Sequence, residues 1–170
     1  MSTIIPRDIV HQHSEACADM GEMFQPIAMR LSKEQRRLMK YLEEQFASFD
    51  PLAGQIAMYM ASVCIRVFEE TGTQLRKVTT QDIRNAEAKI KPFIATILPA
   101  GDGFSDRAKE ADRGQPHLLD EVLWALFDRA EEEQKEEEQK EEMPLNPKQS
   151  AQIYLMLWVA VEALNGKWRA

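Results

Sequence analysis

The sequence predicts an all-α fold: a single-domain bundle of about six helices over residues 1–170, with apolar helices near 51–71 and 147–165 at its centre. Three observations predict it. Strand signals are nearly missing, since no β-branched run alternates and the Asp102-Gly103 pair lacks alternating apolar flanks. Apolar residues recur instead at spacings of three and four, the period of a helix face. The periodic stretches also start at capping residues and stop at glycine or proline.

The first helix starts near Pro6, a residue suited to a first helical turn. Val10, His13, Cys17, Met20 and Phe24 form its inward face, which puts His13 toward the core and His11 toward solvent. Gly21 and Pro26 mark its end. A second helix follows Ser32, with Gln35 completing a Ser-x-x-Gln capping box and Leu38, Met39, Leu42, Phe46 and Phe49 as its stripe. The third has Asp50 as cap, Pro51 in its first turn and Gly72 as a left-handed stop. Its interior, GQIAMYMASVCIRVF, is apolar on nearly all sides, as in a helix buried all round.

The fourth helix opens on Thr79 as cap, with Asp82 at the third helical position and Val78 and Ile83 as a hydrophobic staple. Pro92 lies inside its pattern and predicts a kink. Residues 101–114 read as a long polar loop, a type of connection that is often functional. The fifth helix starts at Pro116 and turns Leu118, Leu119, Val122, Leu123, Leu126 and Phe127 inward. The sixth has Asn146 as cap, Pro147 next and Gly166 at its end, around the apolar run AQIYLMLWVAVEAL.

Between the fifth and sixth helices lies Glu131–Glu142, which has no apolar side chain. Its Glu131–Lys135 and Glu136–Lys140 pairs favour a helix, while Glu132–Glu136 and Glu133–Glu137 oppose one by similar amounts. The stretch is therefore an acidic helical arm or loop. It is either a solvated surface or a docking arm for a basic protein partner, with Glu131, Glu132, Glu133, Glu136, Glu137 and Glu138 as the contact residues.

Composition narrows the function class. The chain's formal charge is −7, and Glu131–Glu142, with eight Glu and two Lys, holds −6 of it. The remainder is nearly neutral and has no basic stripe, which argues against nucleic acid as a partner. Apolar residues are 44% of the chain, an ordinary globular value. Fully apolar runs such as IYLMLWVAV fall short of the ~18 residues of a membrane span, and the N-terminus carries no signal-peptide pattern. Cys17 and Cys64 sit among apolar residues and read as buried thiols in a reduced compartment. A cytoplasmic protein without membrane contact is expected.

Chemistry-bearing motifs are few. HQHSEAC places His11 and Glu15 on one helical face, with Asp8 three residues before His11, a candidate set of metal ligands. His117 precedes Asp120 and Glu121 at spacings suited to proton transfer. Phosphate loops, Glu-x-x-His pairs, His-Glu-x-x-His and Gly-x-Ser-x-Gly do not occur, and no cofactor is implied. The reading that follows is a non-enzymatic helical interaction or regulatory module. The alternative is a metal- or small-ligand-binding helical protein using residues 8–17 and 101–114. Two helices apolar all round, with only four others to cover them, further predict a homodimer. Its expected interface is Tyr154, Leu157, Trp158 and Val161, or Met58, Met60 and Ile65.

Overall fold

A computed structural model of the chain describes residues 3–129 and 145–170. It is all-α apart from two short strands. α1 (Arg7–Met20) stops where Gly21 takes a positive φ of 54°. A single 3₁₀ turn leads into α2 (Phe24–Glu34). Phe24 therefore starts a new helix and does not end the first one. Ser32 lies inside α2, so the predicted Ser32–Gln35 cap does not form. The break falls at Gln35, whose φ and ψ of −110° and 45° leave the helical region before α3 (Arg36–Gln45).

α4 (Pro51–Thr71) begins as expected: the Asp50 carboxylate accepts from the Ala53 N–H at 3.2 Å. Its end is different. Gly72 is extended (φ −125°, ψ 174°), not left-handed, and leads to strand β1 (Gln74–Leu75). β1 pairs antiparallel with β2 (Trp168–Arg169), a small ribbon that the sequence pattern did not announce. α5 (Thr80–Ile97) carries the full Thr79–Asp82 capping box and has Pro92 inside it. The predicted loop at 101–114 contains α6 (Phe104–Glu110), entered through left-handed Gly103. Phe104 and Ala108 are wholly buried, and they fold this stretch onto the core. α7 (Pro116–Leu123) continues as a π-helical turn over Trp124–Asp128. α8 (Pro147–Asn165) starts with an Asn146–Gln149 capping box.

α8 is the axis of the bundle, packing on α5, α4, α7 and α3. Tyr154, Leu157, Trp158 and Val161 are between 0% and 1% exposed within the single chain. The expected oligomer interface is corrected by this: those four side chains are covered by neighbours in their own chain and present no surface to a second copy. Ile65 is buried too, and Met58 and Met60 are partly so. α4 packs on α1, α2, α3 and α8. By length and composition it is the one helix among the described residues able to cross a membrane, and half of its 18-residue apolar window is buried here.

Candidate interaction surface

The α2–α3 corner is built by Gln35, which is 4% exposed. Its amide donates to the Arg76 carbonyl at 3.1 Å and accepts from the Val78 N–H at 2.9 Å. A buried amide satisfied on both sides is worth keeping, because an unpaired one costs about 1–3 kcal/mol. These two bonds hold the segment before α5 against the start of α3. Lys77 is thereby placed beside Lys33, Arg36, Arg37 and Lys40, around a concave face of about 490 Å³. Leu38, Met39 and Leu42 point the other way, into the core, so the amphipathic helix has no choice but to turn its cations outward.

None of those five cations enters an ion pair with a described residue. Glu34 is the one acid on the face, and Arg30 binds it at 3.1 Å. Arg30 also reaches Glu69 at 2.7 Å, and Arg66 binds Glu69 and Glu70. The hydrogen bond from Arg30 holds the Glu69 carboxyl below its usual range, against the opposing effect of burial. The acids of this end of the bundle are thus already taken, while the α3 cations are not. The notion of a chain without a basic patch is corrected here. The signal was present in SKEQRRLMK, but sequence distance hid the contribution of Lys77.

A second concavity lies between the Leu98–Gly101 turn and the start of α8. It is an open groove of about 770 Å³ whose walls include Leu98, Pro99, Ala151, Leu155 and Met156. Leu98 is 42% exposed.

The other candidate residues serve the fold. His11, not His13, makes the notable contacts: its Nδ1 lies 2.8 Å from Glu121, and its ring meets Trp124 edge to face at 5.8 Å. Arg7 Nε donates to the other Glu121 oxygen at 3.0 Å. His13 is only half-buried, although Val10 and Cys17 of the same predicted stripe are buried. The residues of the expected metal set, Asp8, His11 and Glu15, are placed as follows. Asp8 is exposed, His11 Nε2 stands 3.6 Å from Glu15, and no three potential ligands converge among the described residues. Glu121 is committed to Arg7 and His11, not to His117. Cys64 is fully enclosed, and burial pushes its thiol up to about 12.

Buried polar groups along α8 form a structural belt. Glu162 accepts from Gly114 N–H at 2.6 Å and from Lys89 at 2.7 Å. Gln115 accepts from Ile5 N–H and donates to Thr3 and Asn165, pinning the N-terminal segment to the bundle. Arg113 binds Asp120 at 2.8 Å and lies 3.5 Å from the Tyr154 hydroxyl. Burial raises that phenol to about 12, with Arg113 opposing, so it keeps its proton near neutral pH. The acidic contact residues Glu131, Glu132, Glu133, Glu136, Glu137 and Glu138 lie outside the described residues.

No family model matches the chain, and no curated protein and no solved structure is significantly similar to it.

Proposed function

We propose that this chain is a non-enzymatic helical interaction module that engages acidic protein segments through the cationic face of α3. One observation carries the reading: five cations are gathered on one concave face, and none of them enters an ion pair with a described residue. Like charges held together raise the energy of a compact state. An anionic partner relieves that repulsion on binding. A protein partner fits better than nucleic acid for three reasons. The whole chain is at −7 and repels a polyanion at long range. The α3 cations, Arg36 to Lys40, span only about 6 Å at helical rise, a short footprint on a nucleic acid. Finally, the face has no aromatic side chain on which bases stack.

The test is affinity capture from native cells with the wild-type chain and with a variant carrying Arg36→Glu, Arg37→Glu and Lys40→Glu. The expected result is a set of acidic proteins held by the wild type at low salt and lost by the variant. Capture of the same proteins by both would remove the α3 face from the argument.

A second reading is supported by the groove beside α8, whose apolar walls suit a small apolar ligand or an apolar side chain of a partner. Met156→Glu within the groove should abolish binding of an apolar fluorescent probe such as ANS to the folded protein. Unchanged probe binding would count against this reading.

A further inference from the structure

We infer that the acidic protein segment taken up by the α3 face is a phosphorylated one, its phosphoserine or phosphothreonine held by Arg36 and Arg37. This rests on the reading of that face as a docking surface and names the chemistry of its partner. The reason is a mismatch between charge and space. Lys33, Arg36, Arg37, Lys40 and Lys77 line one concave face of about 490 Å³, and Glu34, its one acid, is bound by Arg30 at 3.1 Å. The α3 cations among them span only about 6 Å at helical rise. An extended segment covers that distance with about two residues at ~3.3 Å each, and only alternate side chains point at the face. One or two carboxylates therefore reach it, which sets about −1 to −2 against the five cations. A phosphoserine in the same place carries about −1.5 to −2 and three strong acceptor oxygens. Two of them, two positions apart, bring roughly −3 to −4, much nearer to the charge of the face.

The donor types agree with the charge. Arg36 and Arg37 are consecutive at the start of α3, and each guanidinium offers a planar fork that grips phosphate oxygens two at a time. Lys33, Lys40 and Lys77 add compact ammonium charges around them. The face is also partly built in advance. Gln35 is buried, and its amide bonds the Arg76 carbonyl and the Val78 N–H, the two backbone groups that flank Lys77. Gln35 itself immediately precedes Arg36. One buried side chain thus fixes the backbone of both halves of the face, and a backbone already fixed loses less entropy on binding. Val78, the apolar residue of the face, is 3% exposed and gives an apolar side chain no anchor. Recognition is left to charge and donor geometry, the two respects in which a phosphate exceeds a carboxylate.

The experiment is fluorescence anisotropy on the full chain at about 0.1 M salt, where exposed charges are screened over ~10 Å. The probe is one labelled peptide, otherwise uncharged, with two serines two positions apart. It is made with serine, with glutamate and with phosphoserine at both positions. The phosphoserine form should bind about tenfold more tightly than the glutamate form, and the serine form should not bind. Arg36→Lys with Arg37→Lys keeps every charge but removes both forks, and it should narrow that preference by about threefold or more. Arg36→Gln with Arg37→Gln and Lys40→Gln should abolish binding of the phosphopeptide, with circular dichroism to check the fold. If that variant does not fold, the pair of lysine replacements and Lys77→Gln, which should weaken binding, carry the test. Equal affinity for the glutamate and phosphoserine forms overturns the inference, as does a preference undiminished by the lysine replacements, or a phosphopeptide that does not bind. Inorganic pyrophosphate that displaces the phosphopeptide at equal concentration assigns the face to a small anion and overturns it too. So do vesicles carrying a phosphorylated inositol lipid, if they bind and the peptide does not. Phosphatase treatment of a native lysate separates this inference from the reading beneath it. Acidic proteins captured through the α3 face equally well before and after treatment leave the face a docking surface and remove the phosphate. Capture indifferent to the α3 charge reversals removes both.

Discussion

Gly72 shows how one residue can be required for a reason other than its backbone angles. Its extended conformation is open to any residue. A Cβ placed there, however, would lie 2.0 Å from Trp168 Nε1 and 2.4 Å from the Arg169 carbonyl oxygen. The first of these atoms belongs to a side chain, while the second is backbone in a paired strand that cannot move aside cheaply. Gly72→Ala should therefore lower stability by ~1–3 kcal/mol, as overpacking does elsewhere. Gly54 is the control. A Cβ at Gly54 meets nothing within 4 Å, and the residue lies inside α4. Gly54→Ala should raise stability by roughly 0.5–1 kcal/mol through helix propensity alone. Urea unfolding of the two variants and the wild type measures both effects, and equal shifts would refute the close-approach argument. The glycine was legible in the sequence as a helix stop. The reason for it was not, because Trp168 lies far away along the chain.

The elements were most legible where a local hydrogen bond defines their ends. Thr79 and Asp82 form the reciprocal box at the start of α5, with bonds of 3.2 Å from Asp82 N–H to the Thr79 hydroxyl and 2.7 Å from Thr79 N–H to the carboxylate. Thr79→Ala should cost ~1 kcal/mol. Burial pushes the Asp82 carboxyl up, but the hydrogen bonds from Thr79 and the Lys167 ammonium at 3.2 Å outweigh it, and the group titrates below its usual range. A folded value below the unfolded one stabilises the protein above the unfolded value of about 4, and the contribution vanishes as pH falls through the folded value. The stability gap between wild type and Asp82→Asn should accordingly be present at pH 7 and close in the acid range below about pH 4. Thermal melts of both proteins from pH 7 to 2 follow it, and a gap constant with pH would contradict the carboxylate's role. Where no local bond exists, the pattern misled: Ser32 was a plausible cap by type, yet α2 runs straight through it and the chain breaks at Gln35.

At the scale of the molecule, the described residues form one hydrophobic core. Trp158, Tyr154, Phe68 and Phe104 are all buried; the Tyr154 ring meets Phe104 and Trp158, and Phe68 meets Trp168. Replacing Glu131–Glu142 by a short Gly/Ser linker should shift the thermal midpoint by less than about 4 °C, which at this size corresponds to roughly 1–2 kcal/mol. The melt is best recorded at high salt, where any stabilisation by self-association is screened. A fall above about 8 °C would give the stretch a folding role.

The sequence by itself determined the helical class, the caps at Asp50, Thr79 and Asn146, and the two most apolar helices, because each of these depends on residues within a few positions of one another. Tertiary structure alone decided three other matters. It decided that α8 spends most of its apolar face within one chain, since only the arrangement of α3, α4, α5 and α7 sets how much of that helix is covered. It decided that His11 and Arg7 answer the buried Glu121, a pairing across 110 and 114 positions. It also gathered Lys77 with the cations of α3 through the two bonds of Gln35, because a charged face is a property of positions in space, and only folding brings those positions together.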